Sequence, residues 1–170
     1  MKPGTSPLSS RLNPFDAQMF QAIEQRDLQG LTAALDLGAN PNARKLYRGL
    51  KGEKPGLMAV RNGQSQALSL LLERGAACDP ELVLGVALFA ERSAKAGEPT
   101  AMADAQKMIA ALEAHYADWG VSHRFIGGGL RAIDLLWSVW PDLAHGPAQR
   151  LNLKPLGALE GAPVPGKPTV

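Results

Sequence analysis

Leu28-Gln29-Gly30-Leu31-Thr32-Ala33-Ala34-Leu35-Asp36-Leu37-Gly38-Ala39 and Ser65-Gln66-Ala67-Leu68-Ser69-Leu70-Leu71-Leu72-Glu73-Arg74-Gly75-Ala76 are the two stretches that decide the fold. Each sets leucines three and four residues apart, the spacing of one helix face. Each then runs into Gly-Ala, where a left-handed residue stops a helix. Laying the chain on itself with an offset of 37 places Leu31 on Leu68, Leu35 on Leu72, Gly38 on Gly75 and Ala39 on Ala76, and further upstream Ala22 on Ala59. A repeat period between about 20 and 50 residues means stacked units that cannot bury their apolar faces alone.

Upstream of the first stretch, Asn13 can cap a helix whose first turn holds Pro14 and Asp16, with Phe15, Met19, Phe20 and Ile23 on one face. Together with residues 28–37, where Leu28, Leu31 and Leu35 form the apolar stripe, this predicts a helix–turn–helix pair. Composition agrees: the 170 residues include 26 Ala and 25 Leu against 7 Val and 4 Ile, so helix formers dominate and sheet formers are scarce. The expected class is all-α, with one core or a short stack of repeats and no room for a large multidomain enzyme.

Asp27-Leu28-Gln29-Gly30-Leu31-Thr32-Ala33-Ala34-Leu35-Asp36-Leu37-Gly38-Ala39-Asn40-Pro41-Asn42-Ala43 resembles the second helix and exit turn of an ankyrin repeat, whose family pattern runs through a leucine-rich helix into Gly-Ala-Asp-x-Asn-Ala. Residues 63–79 resemble it again. Lys54-Pro55-Gly56-Leu57-Met58-Ala59 stands where the family usually has Thr-Pro-Leu-His-x-Ala, keeping the proline and the alanine. Arg131-Ala132-Ile133-Asp134-Leu135 resembles the Thr-Ala-Leu-Asp-Leu variant of the family's first helix. The resemblance is clear over residues 15–79 and reaches residue 140 in degenerate form. It implies an ankyrin-repeat solenoid of three to four helix–turn–helix units with degenerate terminal ones, over residues 13–153. Residues 1–12 and 154–170, rich in Pro, Gly and Ser or Pro and Gly, are expected to be tails. The repeat offset exceeds the family's spacing, which implies a lengthened finger between Gly38 and Pro55.

Past residue 80 the periodicity predicts a helix over Leu82–Glu91. A second follows over Met102–Tyr116, with Met102, Ala105, Ile109, Leu112 and Tyr116 on its buried face and a long polar loop over Ser93–Thr100 between the two. Leu130, Ile133, Trp137 and Trp140 predict one face of a further helix, the first helix of a degenerate closing repeat, with Gly127-Gly128-Gly129 as a hinge before this last helix. Trp119, Trp137 and Trp140 read first as core packing and second as an exposed patch for a partner.

A net charge of +2 excludes a polycation acting through its whole surface. The charge is instead local. Arg44-Lys45-Leu46-Tyr47-Arg48-Gly49-Leu50-Lys51-Gly52-Glu53-Lys54 holds five basic residues and one acidic residue, interleaved with Leu46, Tyr47 and Leu50. Tyr and Arg dominate binding hot spots. Tyr47 and Arg48 are therefore the candidate anchors, with Lys51 beside them, Leu46 and Leu50 as apolar contacts, and Arg44 and Lys45 as steering charges toward a partner protein with an acidic surface. The opposing reading is a solvated charge run whose apolar members fold back. The same run could meet phosphates, but no nucleic-acid motif or companion basic stripe accompanies it.

No catalytic chemistry converges in the sequence, no cofactor is implied, and the expectation is a non-enzymatic protein-binding module. His115, His123 and His145 lack the spacing of metal ligands. The triple glycine lacks the strand and lysine of a phosphate-cradling loop, and there is no Gly-x-Ser-x-Gly. The lone Cys78 fits an inert thiol in a reducing compartment. Residues 1–10 carry no apolar leader and no segment reaches a membrane span, so a cytoplasmic location is expected. Small free-standing ankyrin proteins of this kind resemble bacterial inhibitors or immunity factors of a cognate toxin, accessory factors of an enzyme, or secreted effectors that act on host proteins. An enzyme with its site in residues 93–129, or a nucleic-acid-associated protein, are the alternatives from other classes.

Overall fold

The computed structural model describes residues 13–45, 52–122 and 130–156; among them the secondary structure is eight α-helices and one isolated bridge, with no strand. The chain is all-α. In order the helices are α1 (Pro14–Glu24), α2 (Leu28–Asp36), α3 (Pro55–Arg61), α4 (Ser65–Glu73), α5 (Pro80–Ala96), α6 (Pro99–Ala114), α7 (Ala132–Val139) and α8 (Pro141–Arg150). Leu46, Tyr47, Arg48, Leu50 and Lys51 lie outside the described residues, as do the three glycines 127–129 and most of both tails.

Helix starts follow local chemistry. The Asn13 side-chain oxygen accepts the Phe15 amide at 3.0 Å, Asp27 accepts that of Gly30 at 2.9 Å, and Asp79 that of Leu82 at 3.0 Å. Five helices begin on proline at the first position (α1, α3, α5, α6 and α8), where the missing N–H costs nothing. Helix ends are set by left-handed residues. Gly38 (φ 101°) and Gly75 (φ 94°) occupy the same place in the repeat. Their amides reach Leu35 and Leu72, and the next amides reach five residues back, Ala39 to Ala34 at 3.0 Å and Ala76 to Leu71 at 2.9 Å. That is the paired pattern of a Schellman stop. The inner turns repeat it at the same offset: Arg26 (φ 57°) and Gly63 (φ 68°) precede amides of Asp27 and Gln64 that bond to Ala22 and Ala59, each at 2.9 Å.

Consecutive helices pair as α1 with α2, α3 with α4, α5 with α6 and α7 with α8. The first members also meet in chain order, α1 to α3 to α5 to α7, and the second members meet α2 to α4 to α6. One continuous core runs between the two rows: Met19, Phe20 and Ile23 from the first hairpin, Leu68 and Leu71 from the second, Met108 and Leu112 from the third, and Ile133 and Leu136 from the last. Within the expected stripe of α2, Leu31 and Leu35 are buried but Leu28, at the first helical position, is 40% exposed. Polar ties join the hairpins. The Gln64 amide donates to the Ile23 carbonyl at 2.7 Å, and the buried Asp16 carboxylate accepts the Asn40 amide at 2.7 Å. The Asn42 side chain donates to the Gly75 carbonyl and accepts the Ala77 amide, filling both with one residue.

Past residue 80 the structure corrects the reading. The polar stretch 93–100 is helix on both sides of a two-residue link, Gly97 and Glu98. Nothing in Arg92-Ser93-Ala94-Lys95-Ala96 breaks a helix, Lys95 pairs with Glu91 one turn earlier, and the stop waits for Gly97 at φ 66°. Tyr116 is not on the buried face of α6. It sits past the helix end at φ 55°, 80% exposed, where it serves as the left-handed stop, with the Ala117 amide bonded to Leu112. Leu130 and Trp140 flank α7 and do not belong to it, and α7 is not the last helix. The additional α8 escaped a leucine-based search because its buried residues are Ala144, Pro147 and Ala148. Its signal was electrostatic: Asp142 in the first turn and Arg150 in the last match the helix dipole.

No described helix is long and apolar enough to cross a membrane. Leu71 has no exposed surface, so Leu71→Ala is expected to cost ~2–5 kcal/mol in chemical denaturation. At Gly75 an added Cβ meets nothing within 4 Å. Gly75→Ala therefore isolates the backbone cost of the left-handed stop, expected at about 1 kcal/mol in the same measurement.

Candidate interaction surface

The basic segment leaves α2 after Gly38 and returns to α3 at Lys54. Its two ends are tied together. The Lys45 amide donates to the Glu53 carbonyl at 3.1 Å, and the Arg44 guanidinium donates to the Gly52 carbonyl at 3.2 Å. A hairpin-like base therefore carries residues 46–51. Lys54 occupies the N-cap of α3 without capping it; its ammonium pairs instead with Asp79, the N-cap of α5.

Each described basic residue of the segment meets a carboxylate of the same chain. Arg44 pairs with Glu81 at 3.0 Å, Lys45 with Glu24 and Lys54 with Asp79, while the segment's own Glu53 pairs with Arg61. All four pairs lie at or near the surface, where such contacts are worth ~0–1 kcal/mol each. Their larger effect is on the field. Four cations against four carboxylates leave the described base electrically balanced.

Next to the base, a cleft of about 470 Å³ is lined by Glu24, Lys45, Gly52, Glu53, Met58 and Arg61. Farther along the first row, α3 and α5 approach closely because Gly85 has no side chain: a Cβ there would stand 2.5 Å from a methyl of Leu57. Phe89, half-buried, lies over Gly63 and lines a second cleft with Arg26, Arg61 and Glu98. On the other row a groove of about 520 Å³ follows α4, with Ser65, Ser69 and Leu70 as floor and Leu28 and Lys107 on its flanks.

The aromatic residues divide. Trp119 is fully buried, its indole N–H donating to Glu113 at 2.7 Å, so it belongs to the core. Trp137 and Trp140 are partly buried against that core, with His145 tilted over Trp137 at 6.4 Å between ring centroids. His115 is exposed and close to the Ala111 carbonyl, and His123 lies outside the described residues. A second connection, between α6 and α7, has a base of the same kind, an antiparallel bridge between Ser122 and Arg131. Sequence reasoning missed it because no charge run marks it.

No family model, curated protein or solved structure matches the chain.

Cys78 is half-buried, and burial, reinforced by Asp79 and Glu113, pushes its thiol up from 9.0 to about 11. Since the thiolate is the nucleophile, alkylation at pH 8 is expected to run roughly a hundredfold slower than for an unperturbed thiol. Timed iodoacetamide labelling of the native protein, with the denatured chain as reference, measures it.

Proposed function

We propose that this chain is a short ankyrin-type solenoid that binds another protein without catalysing a reaction, using the finger over residues 44–54 and the adjacent face of the first helix row. The resemblance of the two leucine stretches supports the family, and so do their identical helix stops, the hairpins meeting row by row, and an Asn42 side chain that bridges successive exit turns. The observation that carries the functional reading is the finger's base. A hydrogen-bonded and ion-paired base brackets six residues whose sequence is Leu46-Tyr47-Arg48-Gly49-Leu50-Lys51. A rigid scaffold that holds such a tip limits the ordering entropy lost on binding. Arg48 and Lys51 in that tip sequence favour an acidic partner surface. In role, an inhibitor of a cognate toxin or an accessory factor of an enzyme in the cytoplasm fits a non-catalytic binding module.

Affinity capture from the native lysate identifies the partner, and titration of the purified partner then tests the site. In the Tyr47→Ala, Arg48→Ala double variant, folded by circular dichroism, binding should weaken by at least ~2 kcal/mol. The loss should appear in the off-rate, whereas Lys51→Ala should act on association and fade with salt. An affinity within ~0.5 kcal/mol of the parent would remove the finger from the interface.

A further inference from the structure

Two parts of the chain far apart in sequence converge on one carboxylate. Asp134, in the first turn of α7, has a nearly fully buried side chain that accepts the Arg131 amide and two guanidinium N–H groups of Arg131, all at 3.0 Å. It also accepts the amide of Leu156 at 2.9 Å. The Arg131 guanidinium reaches the other way as well, donating to the Lys154 carbonyl. Burial acts to raise the Asp134 carboxyl, but these donors outweigh it and hold it below its ordinary range.

The residues after α8 are thereby drawn back over the start of α7. The chain turns at Asn152 (φ 53°), Leu153 lies against Gly120 so that a Cβ there would touch its methyls at 3.4 and 3.5 Å, and Pro155 is buried. Beneath this strap, α7 has no side-chain cap that accepts its first amides. Ala132 donates to the Val121 carbonyl at 2.9 Å and Ile133 to that of Trp119 at 2.8 Å. The donors that a helix start leaves unpaired are thus satisfied by the 117–122 segment. Arg131 is also one side of the Ser122 bridge.

We propose that residues 153–156 are a strap, latched on Asp134, that keeps the 117–122 segment seated on α7 and so couples the C-terminal part of the chain to the base of the 122–131 connection. The latch is releasable because Asp134 keeps its three Arg131 donors when the Leu156 amide leaves. No charge is stranded, and opening stays local. Whatever covers or pulls on residues 154–156 changes the order at Val121, next to the bridge.

Native-state hydrogen exchange on the full chain tests this, comparing the parent with Leu156→Pro, Asp134→Asn and the double variant. Leu156→Pro removes the N–H that Asp134 accepts from the strap, at a position whose side chain is exposed. Exchange at the Ala132 and Ile133 amides should rise about tenfold or more, as loss of a charge-assisted hydrogen bond implies. Amides of α4, such as Leu68 and Leu71, should keep the parent's rates. Asp134→Asn, which also loses the Arg131 ion pair, should act in the same direction, and the double variant should fall short of the sum because the two changes share the Leu156 contact. Unchanged rates at Ala132 and Ile133 in Leu156→Pro would overturn the proposal. So would an equal rise at α4, or full additivity in the double variant. Should Asp134→Asn fail to fold, the Leu156→Pro comparison decides alone.

Discussion

The fold rests on a backbone interaction, the pair of hydrogen bonds that closes a helix across a residue with positive φ. It recurs after α1, α2, α3, α4, α6 and α8, at Arg26, Gly38, Gly63, Gly75, Tyr116 and Asn152. Each stop fixes where a helix ends and the direction in which the chain leaves it. Because the helices of the first two hairpins are only seven to eleven residues long, a stop displaced by one residue would rotate the following apolar stripe by about 100° and take leucines out of the core. Glycine adopts this conformation without strain; Arg26 and Tyr116 adopt it against their preference, held by the packing on either side.

The part of the fold legible in the sequence is the part where that stop is written as glycine behind spaced leucines. Asn13, Leu31, Leu35, Gly38, Leu68, Leu72 and Gly75 all do what their spacing implies. Legibility fails where one residue type has two uses. Ser93 to Ala96 are polar or small, which describes a loop and an exposed helix end equally well, and only the position of Gly97 separates the two. Tyr116 is aromatic and in register with the apolar face of α6, yet the turn takes it first. In α8 the core is built from alanine and proline, whose small side chains give no leucine periodicity to find.

At the candidate surface, the finger was legible as a charge run, but its pairing was not. Arg44, Lys45 and Lys54 find Glu81, Glu24 and Asp79 across distances of 21 to 37 positions in the chain, and no local pattern announces partners that far away. The pairing turns residues that look like a diffuse positive patch into a balanced set of ion pairs at the base. The close approach of α3 and α5 at Gly85 was equally silent, since a glycine inside a helical pattern reads as a weak point until the neighbouring Leu57 is seen to need the space.

At the repeat offset of 37 Asn42 becomes Asp79, and Asp79 caps α5 at once. The α4–α5 junction therefore has no room for a second loop of that kind. The two paired loop bases, Lys45 with Glu53 and Ser122 with Arg131, lead into α3 and α7, which pack on opposite sides of α5. With neighbouring helices about 8–10 Å apart, the gap between the bases measures about two helix spacings, roughly 16–20 Å. An extended segment advances about 3.3 Å per residue and needs about five or six residues to cross it. The missing loop thus acts as a spacer: it leaves the two bases one whole helix, α5, apart.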